Sequence, residues 1–257
     1  MSRQLALVRR PSPRLAEGLV THIERTPVDV DLALQQWERY VAVLLESGWE
    51  VVEVPAAPDL ADSAFIEDTV VMFRNVAVLA RPGADERAGE VAGTAEVVEA
   101  LGCSINRIRP PGTLDGGDVL KVGDTVFVGR GGRTNDDGVR QLRAILEPLG
   151  ARVVAVPLSK VLHLKSAVTA LPDGTVIGFA PLVDDPSVFG RFLAVPEESG
   201  SHVVLLGDDR LLMAADAPQS AELFRRLGYQ PVEVDISEFI KLEGCVTCLS
   251  VRVRHLR

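Results

Sequence analysis

Along the chain, apolar positions at helical spacing repeatedly run into a glycine and then into a short β-branched stretch. The combination recurs at residues 44–55, 98–110, 146–157 and 224–234. The glycines, Gly48, Gly102, Gly150 and Gly228, are separated by 54, 48 and 78 residues. The wide last gap holds a fifth stretch, Phe192-Leu193-Ala194-Val195-Pro196, with only an abbreviated helix or loop before it, so five units are expected. Leu34, Trp37, Val41, Leu44 and Leu45 form one helical stripe, and Val139, Leu142, Ile145, Leu146 and Leu149 another. Asn135 or Asp136 suits the cap of the second helix, and each following glycine suits a left-handed helix end. Turn residues separate alternating apolar runs at residues 122–125, 171–174 and 206–209, which predicts hairpins. Each unit therefore reads as strand, hairpin, helix, strand.

A unit of about 50 residues with one helix buries too little apolar surface to offset chain entropy, so the units must share a core. Units around an axis in one domain, residues 1–257, meet that need; an open α/β sheet uses the same elements. At 47% hydrophobic and 25% charged, the chain has the composition of a globular protein. The apolar run near the start, residues 5–8, is too short for a signal-peptide core or a membrane span, which makes a cytoplasmic protein the expectation. Three cysteines, an odd number, favour free thiols over a disulfide framework. A net charge of −9 with no basic run disfavours nucleic acid and suits a small cation.

Cys248, His163 and Asp115 lie far apart in sequence and supply the three residue types that a cysteine nucleophile with an oriented acid/base requires. Each also has an ordinary reading. Asp115-Gly116-Gly117-Asp118 fits a β-turn at the mouth of a hairpin strand, and His163, between leucines at an apparent strand edge, fits a structural histidine. Glu67 and Asp68 interrupt an apolar, strand-like segment, so one of them is expected in the interior, paired either with a protein arginine or with a guanidinium ligand. Cys245 and Cys248 form a Cys-x-x-Cys pair, the spacing of zinc and redox sites. Neither Cys103 nor His255 sits in a second paired motif, however, and the segment runs into Val251-Arg252-Val253, which alternates like a terminal strand.

Taken together, residues 65–68, 81–84, 114–118, 133–135, 162–166 and 244–250 resemble the dimethylarginine dimethylaminohydrolase family of guanidino-modifying enzymes, in family order across nearly the whole chain. The resemblance implies an α/β pentein fold, a fivefold pseudosymmetric propeller of ββαβ-type units. It implies Cys248 as nucleophile, His163 as acid/base and Asp115 as its orienting group. It further implies Glu67 and Asp68 as guanidinium ligands, Arg87 and Arg133 as ligands of the substrate α-carboxylate, and Leu19, Asp62, Phe65 and Leu242 as pocket lining. The implied reaction is hydrolysis of dimethyl- or monomethyl-L-arginine to citrulline and the methylamine through a covalent thiouronium on cysteine. No metal or organic cofactor is implied, and a monomer or homodimer is expected.

Cys245, Glu243 and Gly131 stand where the family commonly has Gly or an aliphatic residue, Asp and Ser. A thiol three residues from the nucleophile also suggests trapping as a disulfide on oxidation. Arginine deiminase is the nearest rival, although typical members are longer and carry an inserted helical segment. Amidinotransferase, a non-catalytic ribosome-binding pentein and a zinc-binding redox module are the others.

Overall fold

The structure, a computed structural model, describes residues 4–254. Fifteen strands form five three-stranded sheets. The first joins β1 (Leu5–Val8) and β2 (Glu50–Glu53) to β15 (Val251–Val253) in the order β15-β1-β2. The second is β3 (Val70–Phe73), β4 (Val76–Leu79) and β5 (Ser104–Arg107), and the third β6 (Val119–Val122), β7 (Thr125–Arg130) and β8 (Arg152–Pro157). The fourth is β9 (Val168–Ala170), β10 (Val176–Gly178) and β11 (Phe192–Ala194), and the fifth β12 (Val204–Gly207), β13 (Arg210–Ala214) and β14 (Gln230–Val234).

In every sheet the middle strand pairs antiparallel on one side and parallel on the other. The antiparallel pair closes through a short hairpin in four sheets, three at the expected turns and one at Arg74-Asn75. In the first sheet the same place is taken by the pairing of β1 with β15, Leu5 opposite Val253, which joins the two ends of the described chain. A parallel pair needs a crossover. Helices α1 (Val30–Glu46), α2 (Val91–Ala100) and α3 (Asp136–Leu146) supply it in the first three sheets. Two one-turn helices follow, α4 (Leu164–Ala167) ahead of β9 and α6 (Ser237–Ile240) after β14, while α5 (Pro218–Arg226) is the crossover of the fifth sheet. In the fourth, two 3₁₀ turns, Ala180–Leu182 and Pro186–Phe189, take the helix's place, each with a proline among its first two residues.

Four expected helix-ending glycines do adopt the left-handed conformation, with φ of 81°, 75°, 91° and 91° at Gly48, Gly102, Gly150 and Gly228. Asn135, not Asp136, caps α3, accepting from the Gly138 N–H. Of the stripe expected on α1, Trp37 and Leu44 are buried beside Ala33, Tyr40 and Val43, and Leu34 and Val41 pack against the same core; Leu45, 55% exposed, is the correction. One further residue turns about 100° along a helix, which carries Leu45 off the face that Leu44 occupies. The shared core is divided among the gaps between neighbouring sheets. Ala95 and Val98 of α2, for example, pack with Leu5, Leu7, Val251 and Val253 of the first sheet and with Val70 and Leu79 of the second.

Strands β15, β3, β6, β9 and β12 form one edge of their sheets, and all five line a common axial cavity. The residues just ahead of them include Cys248, Asp68, Asp118, His163 and His202. The repeat thus brings distant chain segments to one end of the axis. Among the described residues no helix is long and apolar enough to cross a membrane.

Candidate active site

Glu67 and Asp68 lie in a 3₁₀ turn, Ile66–Thr69, rather than in a strand, and both carboxylates are buried. Successive side chains diverge by about 120° in a 3₁₀ turn and 180° in a strand, so the tighter turn lets neighbouring side chains both point inward. The Glu67 N–H donates to the Cys248 carbonyl at 3.1 Å, which ties this turn to the cysteine segment. The two carboxylates then part. Glu67 Oε1 meets Lys165 Nζ at 2.6 Å and Arg252 Nη2 at 2.8 Å, and its Oε2 accepts from the Thr247 hydroxyl at 2.8 Å. Asp68 accepts from Arg87 Nη1 at 2.6 Å and from the Gly117 N–H at 2.8 Å.

His163 sits just ahead of α4 rather than on a strand edge, because the chain turns through α4 before it enters β9. Its Nε2 lies 2.9 Å from Asp115 Oδ2 and its Nδ1 3.9 Å from Asp68 Oδ1. Burial alone would favour the neutral ring, but the charge of Asp68 and the hydrogen bond to Asp115 outweigh it and raise the imidazole pKa to about 9. Asp68 is itself desolvated, yet the His163 and Arg87 charges hold its pKa down to about 2. The ring is therefore an imidazolium at neutral pH, clamped between two carboxylates. Gly117 makes the approach possible, since a Cβ there would fall 2.5 Å from Asp68 Oδ1 and 2.8 Å from His163 Nδ1.

Asp115 is fully buried and also accepts from the Gly83 N–H at 2.9 Å. Asp118 accepts from the Leu164 N–H at 3.0 Å and from Thr134, which fixes the start of α4 and so the backbone beside His163. Burial raises its pKa to about 7.

The Cys248 thiol is buried, with its Sγ 3.4 Å from Cys245 Sγ. That contact raises its pKa well above the usual thiol range, and burial and the charges of Glu67 and Asp68 act in the same sense. Tyr40 anchors the segment, its hydroxyl donating to the Val246 carbonyl at 2.9 Å and lying 2.7 Å from Ser250 Oγ. Among the described residues the one group of His, Cys, Asp and Glu close enough to share a metal is Asp68, Asp115 and His163, whose atoms lie within 4.8 Å. The cysteines are not part of it, and its oxygens already hold Arg87, Gly83 and Gly117. His255 lies outside the described residues.

The two arginines differ. Arg87 is buried and engaged at every nitrogen: Nε and Nη2 fork onto Glu90 at 3.0 and 2.7 Å, Nη1 reaches Asp68, and Nη2 also reaches the carbonyls of Phe65 and Asp62. Arg133 is buried with Nη1 lacking a hydrogen-bond partner, 4.0 Å from Asp115.

The expected pocket residues gather beside this group. Asp62 accepts from the Leu19 N–H, and a Cβ on Gly18 would meet Asp62 Oδ1 at 2.6 Å and Leu242 Cδ2 at 3.4 Å. Phe65 packs edge-on against Phe239, its ring so close under Gly244 that a Cβ there would lie 2.4 Å away. Glu243, noted in the sequence only as a departure, holds the loop that follows Leu19. Its carboxylate accepts from the N–H groups of Thr21 and His22 at 2.9 and 2.5 Å.

The sequence reading gave no role to Lys165, Thr247 and Arg252 around Glu67, to Glu90 beneath Arg87, or to the amides of Gly83 and Gly117. Lys165 carried a signal: it is a lysine in the same short segment as His163. Glu90 lies three residues after Arg87 and Thr247 adjoins Cys248, but the partnerships of Arg87 with Asp68 and of Thr247 with Glu67 arise only in the fold.

No family model matches the chain. It is 70% identical over 256 residues to the N(G),N(G)-dimethylarginine dimethylaminohydrolase of Streptomyces coelicolor, covering 100% of this chain and 99% of that protein. The solved structure of the Pseudomonas aeruginosa dimethylarginine dimethylaminohydrolase, a Cys-to-Ser variant complexed with citrulline, matches with a TM-score of 0.91 at 33% identity, covering 98% of this chain and 100% of that one. The N-terminal domain of ArgZ, a cyanobacterial arginine dihydrolase, matches with a TM-score of 0.87 at 21% identity, covering 98% and 97%, and bears on the fold alone.

Proposed function

This chain belongs to the dimethylarginine dimethylaminohydrolase family, and on that premise we propose that it hydrolyses dimethylarginine to citrulline and dimethylamine, with monomethylarginine as a second substrate. The observation that carries the reading is the charged His163, held by Asp115 and by Asp68, the carboxylate whose charge also acts on the Cys248 thiol.

The proton inventory gives the mechanism. The resting Cys248 thiol is protonated, because the Cys245 contact, burial and the nearby carboxylates oppose its ionisation. A guanidinium brought in as substrate reverses that field and favours the thiolate; the thiol proton leaves to solvent, since His163 is already charged, and the sulfur attacks the central guanidinium carbon. The His163 imidazolium protonates the departing dimethylamine, and its C–N bond breaks with the electron pair leaving on nitrogen. A thiouronium remains on sulfur. Now neutral, His163 takes a proton from water as the water oxygen adds to the same carbon; the C–S bond then breaks, its pair returns to sulfur, and citrulline is released.

Asp115 keeps the ring in one orientation through both halves. We assign direct capture of the guanidinium to Asp68, each of whose oxygens holds a single protein donor, and a field contribution to Glu67, which holds three donors, two of them charged. Arg133 has the free donor that an α-carboxylate needs, whereas Arg87, spent on Glu90 and Asp68, acts by positioning Asp68. Leu19, Asp62, Phe65 and Leu242 form the wall. Residues 1–257 act as one catalytic domain, as a monomer or homodimer.

The test is incubation with dimethylarginine, monomethylarginine, arginine and agmatine, with citrulline and each amine quantified. Equimolar citrulline and dimethylamine is the expected result. Ammonia from arginine as the dominant product would replace this reading with a deiminase, and amidino transfer that depends on an acceptor amine would replace it with a transferase.

A further inference from the structure

The space between the five inner strands continues beyond Glu67 as a cavity of about 850 Å³ that runs to the hairpin turns at Arg74-Asn75 and Gly123-Asp124, at the opposite end of the axis. Besides Arg74 at the rim, its wall carries four cations, Lys121 on β6, Lys165 on α4, Arg252 on β15 and Arg254 just after it. Glu67, at its inner end, is the one carboxylate that faces them; Asp124 sits at the rim and pairs with Arg74 at 3.4 Å. The described wall therefore holds a surplus of positive charge in a protein whose net charge is −9.

Two of the four cations have no carboxylate partner among the described residues. Lys121 Nζ donates to the Met72 carbonyl at 2.6 Å, and Arg254 donates to the Leu205 carbonyl at 3.0 Å while its guanidinium lies over Trp49, 5.4 Å from the ring centre. Burial, and then the charges of Lys165, Arg252 and Arg254, pull the Lys121 pKa down to about 7. Burial and Arg252 likewise bring Arg254 down to about 10. Cations grouped around one cavity raise each other's energy even where, as at Lys121, the side chain stays open to the cavity, and an entering anion relieves all of them at once. A carbonyl contact fixes each side chain but leaves donors on both for a ligand with several acceptor oxygens.

We propose that this cavity is a binding site for a small oxyanion, phosphate or polycarboxylate, held chiefly by Lys121 and Arg254. The site lies on the far side of Glu67 from His163 and is independent of the reaction assigned above, so its test does not require turnover.

Isothermal titration of the full chain with orthophosphate and, separately, with citrate at fixed ionic strength distinguishes the two sources. The expected result is saturable one-to-one binding of at least one of them, weakened at least tenfold in the double variant Lys121→Met, Arg254→Gln. A second readout uses the unaltered protein: phosphate or citrate protects Lys121 from an acylating reagent while leaving Lys160 and Lys241 reactive. Absence of saturable binding by both anions, undiminished binding in the folded double variant, or equal protection of all three lysines would overturn the proposal.

Discussion

The two ends of the axis are built from the same five inner strands and hold opposite electrostatic arrangements. Ahead of the strands, three carboxylates, Asp68, Asp115 and Asp118, surround one histidine, and every carboxylate has a donor. Further along the strands, cations outnumber the one carboxylate that faces them, and two are held only by carbonyls. Glu67 stands between the ends and answers to both, through its N–H to Cys248 and its carboxylate to Lys165 and Arg252. The contrast teaches that a charge is specified by its partners as much as by its surroundings. His163 is buried and the carboxylates still lift it to about 9, whereas Lys121, which stays open to the cavity, is brought down to about 7 by desolvation and by the neighbouring cations.

The largest effect that tests this contrast is at the sulfur. Cys248→Ser lowers citrulline release by at least about 10³-fold with the circular dichroism unchanged, because a serine hydroxyl stays protonated where a guanidinium can still ionise a thiol; near-normal release by this variant would refute the assignment. Glu67→Gln removes the charge shared by the two ends and leaves Lys165 and Arg252 uncompensated. It lowers unfolding free energy by about 3 kcal/mol in urea titrations, and a loss below about 1 kcal/mol would mean that Glu67 does not hold the ends together.

The clamp on His163 predicts a pH dependence with a definite sign. Its pKa is raised above the ordinary 6.5, so its contribution to stability is complete below that value and is lost as pH rises through about 9. The loss is on the order of 2–3 kcal/mol, read as the part of the stability difference between pH 6 and pH 10 that disappears in His163→Asn. Arg133→Lys raises KM for dimethylarginine about tenfold with kcat nearly intact, since a point charge replaces the planar fork; a change confined to kcat would remove the carboxylate role. The smallest effect is that of Cys245→Ala. It leaves turnover within about threefold and shifts the alkylation of Cys248 to lower pH, because the contact that raises that thiol is gone. The same variant tests disulfide trapping, as unchanged peroxide sensitivity would exclude it.

Recognition of the family rested on six short segments whose order could be read without coordinates. Some details within them could not. Strand alternation was expected at Glu67-Asp68, but the 3₁₀ turn there follows from contacts to Cys248 that arrive from 181 residues away. Arg87 differs from Arg133 partly through a local neighbour, Glu90 three residues on, but its saturation is completed by Asp68, 19 residues away, and the free Arg133 donor shows only in the folded chain. The role of Glu243 depends on a loop more than 220 residues earlier in the chain.

By itself, the sequence determined the five units, their helix-ending glycines, three of the hairpins and the residue types able to act on a guanidinium. These are local properties, set by backbone freedom and by the spacing of apolar side chains. Only the tertiary structure decided which charges face which, because ring closure around the axis brings the segments together, and the charges acting on Asp68, His163 and Lys121 come from residues distant in sequence.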